Sequence, residues 1–135
     1  MTLRYLIVAL GLSVHSASAN SPHVDFMLHC QGCHLADGTG TPGIVPPLVG
    51  KLGLFLRTQT GRDYLLRVPG VAQSSLSDER LAAVMNWAVD YFDAPGKPAD
   101  FEPYSPEEAG KLRSQILRSV KELRIELIGN NAADY

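Results

Sequence analysis

The sequence has few of the residues from which zinc and disulfide sites are built. Its 135 residues include two cysteines and four histidines, and every histidine lies at or before position 34. A structural zinc site made from cysteine and histidine needs a second pair of ligands downstream of the first pair. The sequence offers no such pair, which argues against zinc.

After residue 19 the sequence also lacks long apolar runs, internal repeats, low-complexity tracts and the alternation typical of strands. A membrane-spanning helix needs about 20 consecutive apolar residues. We therefore expect a soluble chain of one domain, with no membrane span once an N-terminal leader has been removed.

The first 19 residues have the pattern of such a leader. Arg4 supplies a positive charge, residues 6–12 are apolar, and residues 17–19 read Ala-Ser-Ala, a small-residue cleavage site. We predict a Sec-type signal peptide over residues 1–19, a mature chain that begins near Asn20, and a periplasmic location in a bacterial source.

The mature chain would carry a small excess of negative charge. Without Arg4 it has 11 lysines and arginines against 14 acidic residues, a net charge of −3. This balance argues against binding to nucleic acid or to an anionic membrane, and it favours a partner with a basic docking patch.

Residues 30–34 read Cys-Gln-Gly-Cys-His and are the most informative motif in the chain. On a helix the two cysteines lie about one turn apart, and His34 directly follows the second. This spacing suits a covalently attached haem, in which two thiols form thioethers and the histidine ligates the iron. We predict haem c as the cofactor, with Cys30 and Cys33 as its anchors and His34 as the proximal iron ligand.

A Cys-x-x-Cys pair also occurs in thiol–disulfide redox proteins. In those proteins the pair stands at a strand-to-helix turn of a βαβ unit, and the sequence around residue 30 has no such pattern. Export also favours haem, because bacterial c-type haem is attached outside the cytoplasm. Haem attachment is therefore the favoured interpretation.

Helical spacing and capping signals predict an all-α fold. Residues 24–30 form a short helix that runs into the motif, and residues 61–66 form a helix that ends before Pro69. Between them lie a glycine-rich loop over residues 37–43 and an extended segment over 44–50. Ser77 is an N-cap that opens the clearest helix.

The C-terminal part predicts a linker and one extra helix. Residues 94–104 contain proline and glycine, as linkers do. Ser105 is an N-cap and Glu108 completes a capping box, so we predict one amphipathic helix over residues 105–129. This helix either wraps onto the domain formed by residues 20–93, which is favoured, or docks on a redox partner or a second copy.

In this order the elements resemble the class I c-type cytochromes, over residues 24–92. The resemblance rests on a haem motif that ends the first helix, on Pro-Pro-Leu-Val-Gly at residues 46–50, and on Leu-Ser-Asp-Glu at residues 76–79. It implies a small helical domain around one covalently attached haem. It also implies that the Pro46 carbonyl accepts a hydrogen bond from Nδ1 of His34, which fixes the imidazole tautomer.

The sequence departs from this family at the sixth iron ligand, which is usually a methionine before a proline. Val68 stands there, directly before Pro69. Met85 is the candidate distal ligand, but its place on the apolar stripe of the last helix favours packing. We expect a distal site that is open or filled by an unusual ligand, and a reduction potential below that of methionine-ligated relatives.

Two functions follow from the resemblance and this departure. The favoured one is a periplasmic monohaem electron carrier, not an enzyme, that takes single electrons from a dehydrogenase and passes them to an oxidase or reductase. The alternative is a haem enzyme, or a sensor that binds a small ligand at an open distal site. The sequence shows no distal histidine and arginine pair of the peroxidase sort.

Overall fold

The structure is a computed structural model that describes residues 21–129. Within that range all regular elements are helices, and the lone strand-like pairing is an isolated bridge between Thr41 and Val45. In chain order they are α1 Pro22–His29, α2 Gln31–His34, α3 Leu52–Phe55, α4 Gln59–Arg67, α5 Pro69–Ala72, α6 Asp78–Asp93, α7 Pro106–Arg113 and α8 Val120–Ile128. The predicted all-α class is confirmed.

The predicted signal peptide over residues 1–19 and its cleavage site lie outside the described residues. Over residues 21–129, none of the helices has the length and apolar character that a bilayer crossing requires.

Side-chain caps set where the main helices begin. The hydroxyl oxygens of Ser21, Thr58 and Ser77 accept hydrogen bonds from backbone amides in the first turns of α1, α4 and α6. Each bond satisfies an amide that has no partner inside its helix. α4 ends at Arg67 because Val68, which precedes a proline, is extended. These helices match the three predicted before residue 94.

Helix α1 packs across α6, and this crossing positions the motif at residues 30–34. The ring of Phe26 lies 5.3 Å from that of Trp87 and 5.0 Å from that of Phe92, measured between centroids. Beside this aromatic cluster, Arg80 binds the buried carboxylate of Asp25. The end of α1, and with it Cys30, is therefore fixed by packing and by an ion pair.

The prediction of one helix over residues 105–129 is wrong, because the chain leaves helical geometry between α7 and α8. There it bonds to the end of α4: the Leu117 amide donates to the Arg67 carbonyl at 3.0 Å, and Arg67 Nε donates to the Gln115 carbonyl at 2.9 Å. These tertiary hydrogen bonds replace bonds that a continuous helix would make within itself.

The start of α7 differs from its predicted capping box in one respect. The Ser105 hydroxyl accepts from the Glu108 amide at 3.2 Å, as predicted. Both carboxylate oxygens of Glu108, however, accept from Arg62, each at 2.7 Å. The side chain of Glu108 thus joins α7 to α4.

Residues 94–104 were predicted as a linker, and the structure packs this segment onto the helices. The amide and carbonyl of Tyr104 exchange hydrogen bonds with the side chain of Asn86, at 2.8 and 3.0 Å. The Tyr104 ring is buried, and its hydroxyl donates to the Arg62 carbonyl at 3.0 Å. The segment therefore carries α7 directly onto α4 and α6.

Candidate haem-binding site

An apolar cleft is lined by Cys30, Cys33 and His34. The cleft is partly open to solvent, and its lining is mostly apolar. Its walls come from every part of the fold before residue 94 and include Phe26, Leu48, Leu52, Leu65, Val84 and Ala88. Such a lining can cover the faces of a large, flat, apolar group.

One turn of backbone presents both thiols and the imidazole. The amides of Cys33 and His34 both donate to the Cys30 carbonyl, at 3.1 and 3.0 Å. Burial, with the nearby Asp25 and Cys33, raises the pKa of the Cys30 thiol to about 11. A thiol that is protonated at neutral pH is a poor nucleophile for disulfide exchange, so the burial of Cys30 disfavours thiol redox chemistry.

His34 is oriented by the backbone carbonyl of Pro46. Its Nδ1 lies 3.1 Å from that oxygen, which can accept the Nδ1 proton. With the proton on Nδ1, the lone pair that could bind a metal is on Nε2. Burial lowers the pKa of His34, which favours the neutral ring that metal ligation requires.

Comparison with known proteins agrees with this geometry. The chain is 33% identical to a cytochrome c-552 of Thermus thermophilus over an alignment 134 positions long, gaps included. The alignment covers 86% of the chain and 88% of the relative. The chain is 35% identical to a second cytochrome c-552 of Thermus thermophilus over 106 positions, which cover 65% of the chain and 81% of that relative. The chain is a c-type cytochrome. No protein-family model matches it.

The predictions of family and cofactor are therefore confirmed, and this cytochrome carries covalently bound haem c. The residues of the cleft fit that group. Two thiols stand beside a neutral imidazole, the walls are apolar, and the lining includes no side chain of aspartate, glutamate, lysine or arginine. These are the donors and surroundings that covalent haem attachment needs.

The cleft lining limits which residues of the cytochrome are candidates for the sixth iron ligand. Apart from the motif, the lining residues with a donor for iron are His29 and Met85. Met85 lies on α6 and is 9% exposed, so the structure brings the predicted candidate into the same cleft as His34. Val68, at the position where the family has methionine, lines an adjoining region with His34 and Pro46.

Gly40 supports the His34 contact, and the sequence pattern identified it only as part of a loop. Its φ is +67°, and its amide donates to the His34 carbonyl at 3.0 Å. A Cβ at this position would lie 2.4 Å from the Val45 carbonyl oxygen and 2.8 Å from that of Pro46. Glycine is therefore required for the close approach that brings Pro46 to His34.

Proposed function

We propose that this cytochrome is an electron carrier in which Cys30 and Cys33 hold the haem and His34 ligates its iron. One observation carries the proposal: Nδ1 of His34 lies 3.1 Å from the Pro46 carbonyl, beside an apolar cleft that both cysteines also line. When bound, haem supplies the one-electron chemistry at its iron.

In this function the protein orients the His34 ring and excludes water from the haem. The Pro46 carbonyl holds the His34 ring in one tautomer and makes Nε2 a stronger donor. Apolar walls, including Leu52, Leu65 and Val84, disfavour water around a bound haem. Fewer water molecules then rearrange when the iron gains or loses an electron, which suits a carrier.

We also propose the location and the class of partner. The predicted signal peptide supports export to the periplasm, where a dehydrogenase would be the donor and an oxidase or reductase the acceptor. Exposed apolar side chains close to the motif in sequence support brief contacts with such proteins: Leu28 is 66% exposed and Ile44 is 81% exposed. Small contact areas are typical of redox encounters.

For domain organisation we propose a removable leader over residues 1–19 and one folded unit that includes residues 21–129. Support comes from α7, which packs on both α4 and α6 and is joined to α4 by the ion pair between Arg62 and Glu108.

The carrier function can be tested by redox titration and rapid kinetics on the purified holoprotein. A carrier takes up one electron per chain reversibly, with the same spectrum after repeated cycles, and passes it within milliseconds to a one-electron acceptor protein. Turnover of peroxide, or an oxidised spectrum that drifts from one cycle to the next, would contradict the proposal.

A second candidate function is small-ligand binding at an open distal site. Two observations favour it. Val68 stands where a methionine ligand would be expected. The one methionine that lines the cleft, Met85, belongs to the packed apolar stripe of α6. Carbon monoxide is the probe for the reduced holoprotein and cyanide for the oxidised form. Rapid, tight binding of both favours the open site.

The same experiment separates Met85 ligation from an open site. A far-red thioether-to-iron band in the oxidised spectrum that disappears in Met85→Ala identifies methionine ligation. Slow or absent binding of cyanide together with that band would exclude the second candidate.

A further inference from the structure

A second cavity, which neither cysteine lines, adjoins the cleft that holds the cysteines. The residues common to both are His34, Leu48, Leu52, Leu65 and Gly70. The walls of this second cavity also include Lys121 and Arg124 of α8. The two adjoining cavities thus have a cysteine end and a cationic end, and His34 lines both.

Helix α8 is held on the fold by contacts near its start and its end. The hydroxyl of Tyr64, which also lines the cationic end, donates to the Val120 carbonyl at 3.3 Å. At the other end of the helix, Ile128 is buried in the core. Lys121 and Arg124 are three residues apart, so they share one face of α8. With Pro46 and Ile44 they also line a smaller cavity of about 300 Å³.

The side chains that line the cleft and the adjoining cavity and carry a charge are all cationic. Among the described residues that line these two cavities, Lys121 and Arg124 are the ones with a charged side chain at neutral pH, and no carboxylate is present. Two cations at the end of an otherwise apolar cleft create a positive potential there. This favours an anionic group at the cationic end.

The chemistry of haem c supplies such a group. Its thioethers form on one edge of the ring, its two carboxylates lie on the opposite edge, and the iron is between them. Anchors at Cys30 and Cys33, with the iron at His34, therefore direct the carboxylate edge away from the cysteine end. We propose that Lys121 and Arg124 bind the haem carboxylates, an inference that rests on the proposed roles of the motif residues.

This assignment gives α8 a role in the redox site. The two side chains keep the haem carboxylates ionised and offset their negative charge near the iron. Because Arg124 presents a planar fork of donors and Lys121 a single ammonium group, Arg124 is suited to two hydrogen bonds and Lys121 to one point contact.

The test uses oxidised holoprotein and the variants Lys121→Gln and Arg124→Gln. Proton NMR follows the haem methyl resonances against pH and so reports the proton affinity of each haem carboxylate. Loss of an opposite charge at about 4–6 Å raises such an affinity about tenfold or more. We expect this rise for at least one carboxylate in each variant.

Arg118→Gln is the matched control, since Arg118 is exposed, lies just before α8 and lines neither cavity. It removes the same charge and should leave both titrations unchanged, and Lys121→Arg should restore the wild-type curve. Titrations of both glutamine variants that superimpose on the wild type, or an equal change in Arg118→Gln, would overturn the inference. A wild-type chain without covalent haem would instead overturn the proposed function.

Discussion

Arg80 of α6 donates two hydrogen bonds to Asp25 of α1, one from Nε at 3.0 Å and one from Nη2. Asp25 is 1% exposed, and the two residues are 55 positions apart in sequence. The pair joins the two helices whose crossing fixes the start of the haem motif. It is thus a structural requirement of the site, although neither residue lines the cleft.

Replacing Arg80 with alanine should destabilise the protein more than an ordinary surface change. It leaves a buried carboxylate without its cation, which costs about 3–5 kcal/mol for a fully buried pair. Because Arg80 is one-third exposed, we expect a smaller loss than that, but a larger one than for a pair that is exposed on both sides. Guanidinium unfolding followed by far-UV circular dichroism measures the change.

Lys97→Ala is the control for that measurement. It breaks the ion pair with Asp90, in which both side chains are about a third or more exposed, and such pairs contribute about 0.2–1 kcal/mol. Equal losses in the two variants would show that the buried pair has no special weight.

Gly40→Ala should disturb both stability and the His34 contact. Both Gly40 and Gly43 have positive φ, at 67° and 74°, so alanine at either pays about 1–2 kcal/mol for left-handed backbone. A Cβ at Gly40 also meets the carbonyl oxygens of Val45 and Pro46, whereas one at Gly43 has nothing within 4 Å.

We therefore expect Gly40→Ala to lose more free energy of unfolding than Gly43→Ala and to shift the reduction potential upward. When Pro46 moves, its carbonyl no longer accepts from Nδ1 of His34, so Nε2 becomes a weaker donor and stabilises the oxidised iron less. Thermal unfolding and potentiometric titration of both holoproteins measure these effects. A Gly43→Ala variant that is equally impaired would contradict the role given to Gly40.

Much of the fold and of the haem site could be predicted from the sequence, because the signals that determine them are local. The motif at residues 30–34 and the cap at Ser77 are encoded within a few residues of the feature they determine. The Pro46 contact, 12 positions from His34, followed from the family resemblance. The break after α7 is different. It depends on hydrogen bonds to Arg67, which is about 50 positions away, and no spacing in residues 105–129 announces it.

The same distinction explains which site residues were missed. Lys121 and Arg124 read as the polar face of an amphipathic helix, and only the fold brings them to the cleft. Asp25 and Arg80 read as ordinary charges in two separate helices. Long-range pairs of this kind leave no pattern in a single sequence.

Tyr104 should make the protein less stable at alkaline pH. Burial, opposed in part by Arg62, raises the pKa of the Tyr104 hydroxyl above its usual range. The folded state therefore keeps a proton that the unfolded state releases above about pH 10. The contribution of this group is present in full below that pH and declines above it, by up to about 1.4 kcal/mol per pH unit.

Tyr104→Phe tests this prediction. Below pH 9 the variant should be about 0.5–1.5 kcal/mol less stable, because the hydrogen bond to the Arg62 carbonyl is lost. Above pH 10 the difference from wild type should shrink, since phenylalanine has no proton to release. Denaturant unfolding at pH 8 and pH 11 compares the two, and a constant difference would contradict the assignment.

Truncation after Ala99 should abolish stable folding, because the removed part supplies core residues. Tyr104, Ala109 and Leu112 are all buried against α4 and α6, and each large apolar side chain contributes about 1.5–3 kcal/mol. We expect a chain that fails to accumulate or unfolds well below the wild-type midpoint. Retained stability with impaired electron transfer to a partner would instead indicate that this part is a docking element.

The most direct test of the central claim is mass spectrometry of the exported holoprotein, intact and after proteolysis. We predict one haem per chain, retained under denaturing acid conditions and located on the peptide that contains residues 30–34. Cys30→Ala and Cys33→Ala should each lose one of the two thioether links. A wild-type chain whose mass shows no haem, or whose haem is released by acid, would contradict the claim.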